Sequence, residues 1–348
     1  MHLKKKEKQF LRGNKNLKGE FTMQSIQFKQ FGGPEVLEKV ELERPVPKGK
    51  EVLIEVHAAG VNYADTARRE NQYVVKTTLP YVPGAEVAGV VVEIGDEVTS
   101  VKIGDRVVSM LECGGYSDFA ITDERSIIHL PNEMDFKIAV ALPVQGLSAY
   151  HILKTMGKLE PGETVLVHAA AGGLGTLAVQ LAKLFGAKKV IATASTKEKL
   201  QLAKEMGADV LINYTEEGWD QKVLEATNGK GVDVALEMAG GDVFYKTLKC
   251  LAYFGRLVIY GVASNQQSNF YPSSLMAKNQ SVIGFFLPPL LKRKALIKQS
   301  LDELFTYLAE GKLKITIGEV FPLSDAANVH TILQSRKTVG KVILEPRK

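Results

Sequence analysis

The stretch TVLVHAAAGGLGTLAVQLAKLFGA, residues 164–187, decides the fold of this chain. Its first residues form an apolar run that predicts a buried strand, and apolar residues then recur at helical spacing until Gly186. Between the two lies AAGGLG (170–175), a G-x-G-x-x-G fingerprint with alanine at the first glycine position. In such a unit small residues let the backbone approach a pyrophosphate and let helix and strand pack closely, while the helix N-terminus offers free N–H groups. We therefore expect cofactor contacts at Ala170, Gly172, Gly173, Leu174 and Gly175.

Downstream of this fingerprint, strand-like and helix-like segments alternate with little interruption. Such alternation is typical of a doubly wound parallel sheet in an α/β fold. We predict a six-stranded Rossmann domain over residues 149–286. Its predicted strands are 165–168, 190–194, 210–213, 232–238, 256–260 and 282–286.

The segments on either side of this domain have a different pattern. Residues 23–130 contain short β-rich runs separated by Pro- and Gly-containing turns, which indicates a twisted, partly barrel-like β domain. After Pro288 and Pro289, a helix and two strands are expected to return to that domain. We therefore predict a catalytic domain made of residues 23–148 and 287–348, with the Rossmann domain inserted and a ligand cleft between the two.

Composition narrows the class of protein. The chain has 348 residues, of which 45% are apolar and 24% charged, as in an ordinary globular protein, and we find no apolar stretch long enough to span a bilayer. Cys113 and Cys250 are too few for a disulfide framework, which favours a reducing, cytoplasmic location. Seven basic and two acidic residues within 1–20 account for the whole net charge of +5. We therefore predict a disordered basic extension over residues 1–22 and no nucleic-acid or membrane partner for the rest.

Several short motifs, in their order along the chain, give a family resemblance. The chain resembles the medium-chain dehydrogenase/reductase superfamily, and within it the zinc-free quinone oxidoreductase branch, from about residue 23 to residue 346. The resemblance implies a GroES-like catalytic domain beside the Rossmann domain. The motifs are GGPEVL (32–37), AGVN (59–62), VPGAEVAG (82–89), GDRV (104–107), GGY (114–116) and AAAGGLG (169–175).

The resemblance raises the question of zinc, because the alcohol dehydrogenase branch uses it. A structural zinc needs about four Cys or His ligands at close spacing, which two isolated cysteines do not supply. The zinc branch also places a catalytic cysteine in the segment matching 60–65 and a histidine where Ala85 stands, and neither is present. We therefore expect no metal, although similarity alone could attach the name zinc-type alcohol dehydrogenase to this chain.

The end of the second Rossmann strand indicates which nicotinamide cofactor is used. An NAD enzyme usually presents Asp or Glu to the ribose hydroxyls there, whereas this chain reads ATASTKEK (192–199). Ser195 and Lys199 would hydrogen-bond to and neutralise a 2′-phosphate. The resemblance adds Tyr214 and Arg336 as phosphate or adenosine contacts, so NADPH is the predicted cofactor.

The chemistry expected of such a site makes few demands on the protein. Hydride transfer to a quinone or an α,β-unsaturated carbonyl needs mainly positioning and polarisation of an acceptor that is already electron-poor. The resemblance places Asn62 and Tyr73 on the substrate side with Tyr63 close by, and Tyr73 could donate to the carbonyl oxygen. It also places Gln145 and Ser148 at the nicotinamide end.

Two further residues lie where the cofactor is expected to pass. Gly240 and Gly261 follow the fourth and fifth Rossmann strands, at the carboxyl ends that bind ligands in such sheets. The last predicted strand, within 280–287, would form an apolar sheet edge and invites pairing with a second copy of the chain. A homodimer is therefore expected.

Two alternative functions remain open from the sequence. An enoyl-thioester reductase would need a longer groove and a basic site for the carrier, which the sequence does not clearly show. A cofactor-binding structural protein, as some lens crystallins of this branch are, would keep the same fingerprint. Only a measurement of acceptor turnover distinguishes these hypotheses.

Overall fold

The computed structural model describes residues 22–266 and 268–347. This part of the chain divides into two compact units. The first contains residues 22–140, 319–337 and 342–347, and the second contains residues 141–318 and 338–341. The predicted basic extension falls almost entirely outside the described residues. Thr22, which that prediction included, instead begins the first strand.

The second unit is built on the predicted parallel sheet. Its described residues form six strands in the order β10-β9-β8-β11-β12-β13, with every neighbouring pair parallel. This order places β8, which leads into the glycine loop, at the centre of the sheet, as a doubly wound sheet requires. The strands are β8 Thr164–Val167, β9 Lys189–Ala194, β10 Val210–Asn213, β11 Val232–Glu237, β12 Leu251–Ile259 and β13 Ser281–Gly284.

Helical segments connect these strands and cover the core. The helix after β8 is buried over most of its length because its small and aliphatic residues pack on the sheet. A cluster around Leu166, Ile191, Trp219 and Leu257 forms the apolar core. The helical segments of this unit are Leu142–Gly146, Leu147–His151, Ile152–Met156, Gly173–Leu184, Lys197–Glu205, Trp219–Ala226, Gly241–Lys249, Pro272–Lys278, Leu287–Leu290 and Lys294–Ala309.

The first unit is β-rich, as expected. Its described residues form a two-stranded sheet, β1-β2, and a seven-stranded sheet in the order β14-β15-β3-β4-β5-β7, with β6 paired to β3. The long strand β3 pairs with β4 along one edge and with β6 and then β15 along the other, and two register shifts against β4 bend it. The strands are β1 Thr22–Gln27, β2 Glu38–Glu43, β3 Glu51–Gly60, β4 Glu86–Ile94, β5 Arg106–Met110, β6 Phe119–Asp123, β7 Ile127–His129, β14 Ile317–Pro322 and β15 Lys341–Glu345.

Short helices complete the first unit and position its polar residues. The helix after β3 begins at Tyr63, and a second helix, Ala326–Gln334, packs against it. Alternating residues of the bent sheet form the apolar core, with Val52, Val87 and Val107 fully buried. The helical segments are Pro34–Val36, Tyr63–Arg69, Glu124–Ser126, Phe136–Ala139, Leu323–Asp325 and Ala326–Gln334.

The predicted division of the chain is wrong for residues 287–318. These residues belong to the second unit, and the first boundary falls after Val140 rather than after residue 148. The cause is the helix Lys294–Ala309, which packs on the helical run that precedes β8: Tyr150 Oη donates to Glu303 Oε2 at 2.9 Å. The Pro288-Pro289 pair starts a short helix within the second unit and does not mark a boundary.

One described helical run, Phe136–Met156, is long and apolar enough to cross a membrane by length and composition alone. This run corrects the expectation that the chain has no apolar stretch of that length. In the structure 72% of the apolar 18-residue window within this run is buried inside the protein. Its apolar character is therefore explained by packing against the protein's own core.

Candidate functional site

The glycine loop connects β8 to the helix Gly173–Leu184. Ala169 adopts a left-handed backbone conformation, and Ala170 N donates to Thr193 O on the neighbouring strand at 3.1 Å. Gly172 caps the helix in an extended conformation, and no side chain caps the helix N-terminus. The first N–H groups of this twelve-residue helix are therefore suited to an outside anion.

The glycines of the loop serve different purposes. A Cβ at Gly175 would lie 2.2 Å from Ala169 O, so this glycine is needed for helix and strand to pack. A Cβ at Gly172 would meet only Ala169 O, at 3.3 Å, so the protein itself does not require glycine there. Gly175 thus serves the close packing of helix and strand, and the approach of a pyrophosphate at Gly172 stays a prediction. Leu174, between them, is half-buried.

Gln145 lies directly against this loop. A Cβ on Gly173 would come within 2.1 Å of Gln145 Oε1, so the missing side chain of Gly173 makes room for the Gln145 amide. Gln145 lies in the helical segment Leu142–Gly146, and Ser148 is buried in the next segment, at 7% exposure. The structure thus brings Gln145 to the fingerprint, whereas the predicted contact of Ser148 with a cofactor stays a prediction.

The residues predicted to read the adenosine end follow two adjacent strands. Ser195 comes directly after β9 and Tyr214 directly after β10, and Tyr214 N donates to Ala194 O at 3.2 Å. Lys199 lies in the first turn of the following helix, where partial burial lowers its pKa. Because parallel strands end at the same edge of a sheet, Ser195 and Tyr214 come together at the edge where ligands bind.

The loops after β11 and β12 lie at the same edge. Gly240 has φ 74° and Gly261 would place a Cβ 3.3 Å from Met238 O, so both loops run close together. Glu237 shapes the first of them, because its carboxylate accepts from Gly240 N at 3.0 Å. Burial raises the pKa of Glu237, while these backbone N–H bonds oppose the rise. Sequence reasoning identified the two glycines and missed Glu237.

In the first unit, Asn62 is fixed by two neighbouring carboxylates. It is the N-cap of the helix Tyr63–Arg69 and only 6% exposed. Its Nδ2 donates to Glu86 Oε1 at 2.8 Å, and its backbone N donates to Asp65 Oδ2 at 2.9 Å. Gly60 makes room for Glu86, because a Cβ there would lie 2.4 Å from Glu86 Oε1. The Asn62 amide therefore has a defined orientation.

Asp65 is also the end of a buried hydrogen-bonded chain. Tyr116 Oη donates to Asp65 Oδ2 at 3.1 Å and lies 3.3 Å from His330 Nε2, while Arg69 Nη1 lies 3.0 Å from His330 Nδ1. Arginine only donates, so Nδ1 accepts and Nε2 carries the proton that it gives to Tyr116. Burial, with a smaller contribution from Arg69, lowers the pKa of His330 to about 3, which keeps the ring neutral. Asp65 thus connects the backbone of Asn62 to this buried chain of hydrogen bonds.

The three other predicted residues of this unit lie in more exposed positions. Tyr63 is half-buried, and burial followed by Glu70 raises its pKa while Arg336 opposes the rise. Arg336 is exposed and follows the helix Ala326–Gln334. Arg336 belongs to the first unit and the glycine loop to the second, so its predicted cofactor contact stays a prediction. Tyr73 packs under Arg68, whose Cζ lies 4.3 Å from the centre of the Tyr73 ring.

Glu86, the partner of the Asn62 side chain, was not predicted from the sequence. Glu86 stands beside Ala85, which was examined only as a missing zinc ligand. The signal was the register of β3 on β4: Ala59 pairs with Val87, so Gly60 and Glu86 follow at the same end of the ladder. His330 gave no local signal, because it lies 261 residues from Arg69.

No group of three or more His, Cys, Asp or Glu side chains that could hold a metal ion occurs among residues 22–266 and 268–347. His168, which ends the first Rossmann strand in the sequence prediction, is a core residue bonded to Thr193 and Thr247 hydroxyls at 2.8 Å each. His57 lies beside Glu55, at 3.3 Å. The cysteines Cys113 and Cys250 are both free.

Comparison with known proteins gives two family matches and many similar chains. Residues 48–132 match the alcohol dehydrogenase GroES-like domain, and residues 173–305 match the zinc-binding dehydrogenase family. The quinone oxidoreductase of Homo sapiens is 35% identical over 329 residues, which cover 94% of this chain and 98% of the relative.

Solved structures agree with these matches. A quinone oxidoreductase of Pseudomonas syringae pv. Tomato superposes with a TM-score of 0.88 at 38% identity, covering 93% of this chain and 100% of the other. A quinone oxidoreductase of Escherichia coli complexed with NADPH has the same TM-score and coverage at 35% identity. The chain therefore belongs to the medium-chain dehydrogenase/reductase superfamily, in its quinone oxidoreductase branch.

Proposed function

We propose that this protein is an NADPH-dependent oxidoreductase that reduces quinones, and by the same chemistry α,β-unsaturated carbonyls, without a metal. The observation that carries the proposal is the uncapped N-terminus of the helix Gly173–Leu184, which begins at an open Gly172 in a chain of this family. Bound NADPH supplies a hydride from its nicotinamide ring. The residues of the chain then have to bind the cofactor and the acceptor, orient them, and polarise the acceptor.

Several residues fit the cofactor. The glycine loop and the helix N-terminus would hold the pyrophosphate, and Gln145 lies beside that loop. Ser195, Tyr214 and Lys199 would bind the 2′-phosphate of the adenosine ribose. Glu198, the nearest acid after β9, lies in the first turn of the next helix, where hydrogen bonds with its own backbone N–H and the Thr196 side chain lower its pKa. Because the Glu198 carboxylate is used at the helix start, we do not expect it to bind the ribose hydroxyls as the acid of an NAD enzyme does. This favours NADPH over NADH.

The first unit supplies the groups for the acceptor. Asn62 is proposed to hydrogen-bond to cofactor or acceptor. Its side-chain amide is preorganised because Glu86 accepts from Nδ2, while Asp65 accepts from its backbone N. Tyr73 is proposed to donate to the acceptor oxygen. Burial raises its pKa, partly offset by Arg68, so its hydroxyl is protonated at neutral pH and able to donate.

The name of one matching family implies zinc, and the residues do not fit that metal. A catalytic zinc needs three protein ligands, usually Cys or His, at about 2.0–2.3 Å. Around Asn62 the candidate ligands are Asp65 and Glu86, and each carboxylate accepts hydrogen bonds from its neighbours. The alanine at position 85 removes the histidine of the zinc branch.

The deciding experiment is an NADPH-oxidation screen across quinones, enones, enoyl thioesters and aldehydes, with and without a chelator. We expect quinones and enones to be reduced at a rate that the chelator does not change. Loss of activity with chelator would contradict the metal-free mechanism. Tight NADPH binding with no turnover of any acceptor would contradict the enzyme and favour a crystallin-like structural role.

Assembly and location are part of the proposal. The edge strand β13 ends the Rossmann sheet, and Tyr271 and Met276 just before it are 82% and 74% exposed. An open edge with apolar neighbours is suited to pairing with a second copy, so a homodimer is proposed. Light scattering that gives a monomer at micromolar concentration would contradict it. The free cysteines support a cytoplasmic location.

A further inference from the structure

Two consecutive arginines at the end of the helix Tyr63–Arg69 have opposite surroundings. Arg69 is fully buried, and its guanidinium donates to Gly32 O at 3.0 Å and to Gln334 Oε1 at 2.9 Å, and also contacts His330 and Glu70. Arg68 is half-buried; it hydrogen-bonds to the Tyr73 side chain, and its guanidinium also lies over aromatic rings. Its Cζ lies 4.3 Å from the centre of the Tyr73 ring and 5.5 Å from that of Tyr81.

Arg68 differs in this respect from the other arginines that are buried or half-buried in the described part of the chain. Each of those has a carboxylate or carbonyl oxygen within 3.5 Å: Arg44 with Glu93, Arg69 with Glu70, Arg106 with Met134, and Arg256 with Glu163. Within residues 22–266 and 268–347, the Arg68 side chain has no ion pair with a carboxylate and no hydrogen bond to a carboxylate or carbonyl oxygen. A guanidinium has five N–H donors, so its hydrogen bond to the Tyr73 side chain leaves others to offer.

The surroundings of Arg68 are suited to a flat acceptor. Tyr73 and Tyr81 provide aromatic rings, and Val74 and Val75 in the adjoining segment are 80% and 45% exposed. The position of the Tyr81 ring is fixed by its hydroxyl, which donates to Glu112 O at 3.2 Å. The patch therefore combines the Tyr73 ring and exposed aliphatic surface with the positive charge of Arg68, while Asp65 and Glu112 place negative charge near the buried Tyr81.

From this arrangement we infer that Arg68 is a specificity-determining residue that binds an anionic group, a carboxylate or a phosphate, carried by the acceptor. The inference rests on the proposed function, because it names the class of acceptor for that site. A planar guanidinium matches the oxygens of a carboxylate or phosphate through two parallel hydrogen bonds. The physiological acceptor is then an anionic quinone or enone, or an enoyl thioester whose carrier bears phosphate.

The kinetic test compares matched acceptors in the wild type and in Arg68→Gln. The acceptors are a neutral benzoquinone, its carboxylate derivative, and crotonyl thioesters of coenzyme A and of N-acetylcysteamine. We expect Arg68→Gln to lower the ratio of anionic to neutral kcat/KM about 30-fold, the loss of a charge-assisted pair. Using the ratio cancels any change in Tyr73 and in the intrinsic reactivity of each acceptor. Loss confined to the carboxylate quinone or to the coenzyme A thioester tells which source of the anion is used, and either supports the inference.

Two controls separate charge recognition from general effects. Arg125→Gln removes the same charge from an exposed site in the same unit, where Arg125 pairs with Asp123, and should leave the ratio unchanged. Arg68→Lys keeps the charge and loses the planar fork, so it should restore only part of the ratio. Thermal unfolding of each variant checks that the fold is retained.

A binding measurement keeps the inference testable apart from turnover. Calorimetry with 2-naphthoate and 2-naphthamide compares an anionic and a neutral ligand of the same shape. We expect the wild type to bind naphthoate at least tenfold more tightly and Arg68→Gln to bind both alike. An unchanged ratio in turnover and no preference for naphthoate would overturn the inference while leaving quinone reduction intact. A preference for naphthoate without turnover of any acceptor would instead support the anion site and overturn the proposed function.

Discussion

The two glycines of the cofactor loop give a prediction that separates folding from cofactor binding. Gly175→Ala would place a Cβ 2.2 Å from Ala169 O and 2.8 Å from Ala170 Cα, both backbone atoms that cannot rotate away. Ordinary contact is near 3.5 Å, so the loop or the helix has to shift by roughly 1 Å. We expect a loss of about 3 kcal/mol in the free energy of unfolding, the range of overpacked cores. That corresponds to a fall of roughly 6–12 °C in Tm for a unit of this size.

Gly172→Ala is the matched variant. Its Cβ would lie 3.3 Å from Ala169 O, and φ is −74°, which alanine adopts without strain. We expect a change below about 1 kcal/mol in stability, because the weaker cap and the stiffer unfolded chain partly offset each other. The added methyl would lie where the pyrophosphate approaches the backbone, so the Kd for NADPH should rise at least tenfold, or about 1.4 kcal/mol.

The assays are thermal unfolding without cofactor and fluorescence titration with NADPH. Gly175→Ala should change the first measurement strongly, and Gly172→Ala the second. The reasoning is refuted if Gly172→Ala binds NADPH as the wild type does, or if Gly175→Ala is as stable as the wild type.

Three further predictions follow from other residues of the two units. Lys199→Gln should raise the KM for NADPH about tenfold and leave that for NADH unchanged, as steady-state kinetics with both cofactors will show; an equal effect on both would exclude a contact with the 2′-phosphate. Asn62→Ala should lower kcat/KM for quinones at least tenfold and destabilise the protein by about 1–2 kcal/mol, whereas Asn62→Ser, which keeps an N-cap hydroxyl, should recover stability without activity; recovery of both would assign Asn62 a structural role alone. His330 has a pKa of about 3 in the folded protein and 6.5 when unfolded, so the unfolded state binds the extra proton between these values and stability falls as pH drops through that window. Urea titrations should show this dependence reduced by about 1.4 kcal/mol per pH unit in His330→Gln, and an unchanged slope would contradict a neutral buried ring.

The local patterns of the sequence were sufficient for the second unit. A parallel strand buried on both faces reads as a short apolar run, and a glycine after it followed by helical spacing identifies the loop. The predicted fold and the family resemblance are confirmed by the strand order and by the similar structures. The position of Ser195 and Tyr214 at one sheet edge also followed, because parallel strands all end on the same side.

The boundary between the units did not follow from local patterns. Pro288 and Pro289 indicate a break in secondary structure, and such a break is easily taken for a change of domain. The helix after them joins the second unit through buried contacts such as that of Ser300 Oγ with His151 Nε2, at 3.2 Å. Those residues are 149 positions apart, and no short-range spacing records such a contact.

The sequence by itself determined the residue types of the site. They are a glycine loop for a pyrophosphate, no acid directly at the end of the second Rossmann strand, and, by the family resemblance, no zinc ligand of the Cys or His type within residues 60–65 or at position 85. Only the tertiary structure decided which partners hydrogen-bond to these residues and which neighbouring charged side chain is not paired with a carboxylate. Asn62 is fixed by Glu86 from a neighbouring strand, and Arg69 is saturated by Gly32 and Gln334, while Arg68 lies over two tyrosine rings. The physical reason is that local patterns set backbone conformation, whereas hydrogen-bond partners and burial depend on residues that only the folded chain brings together.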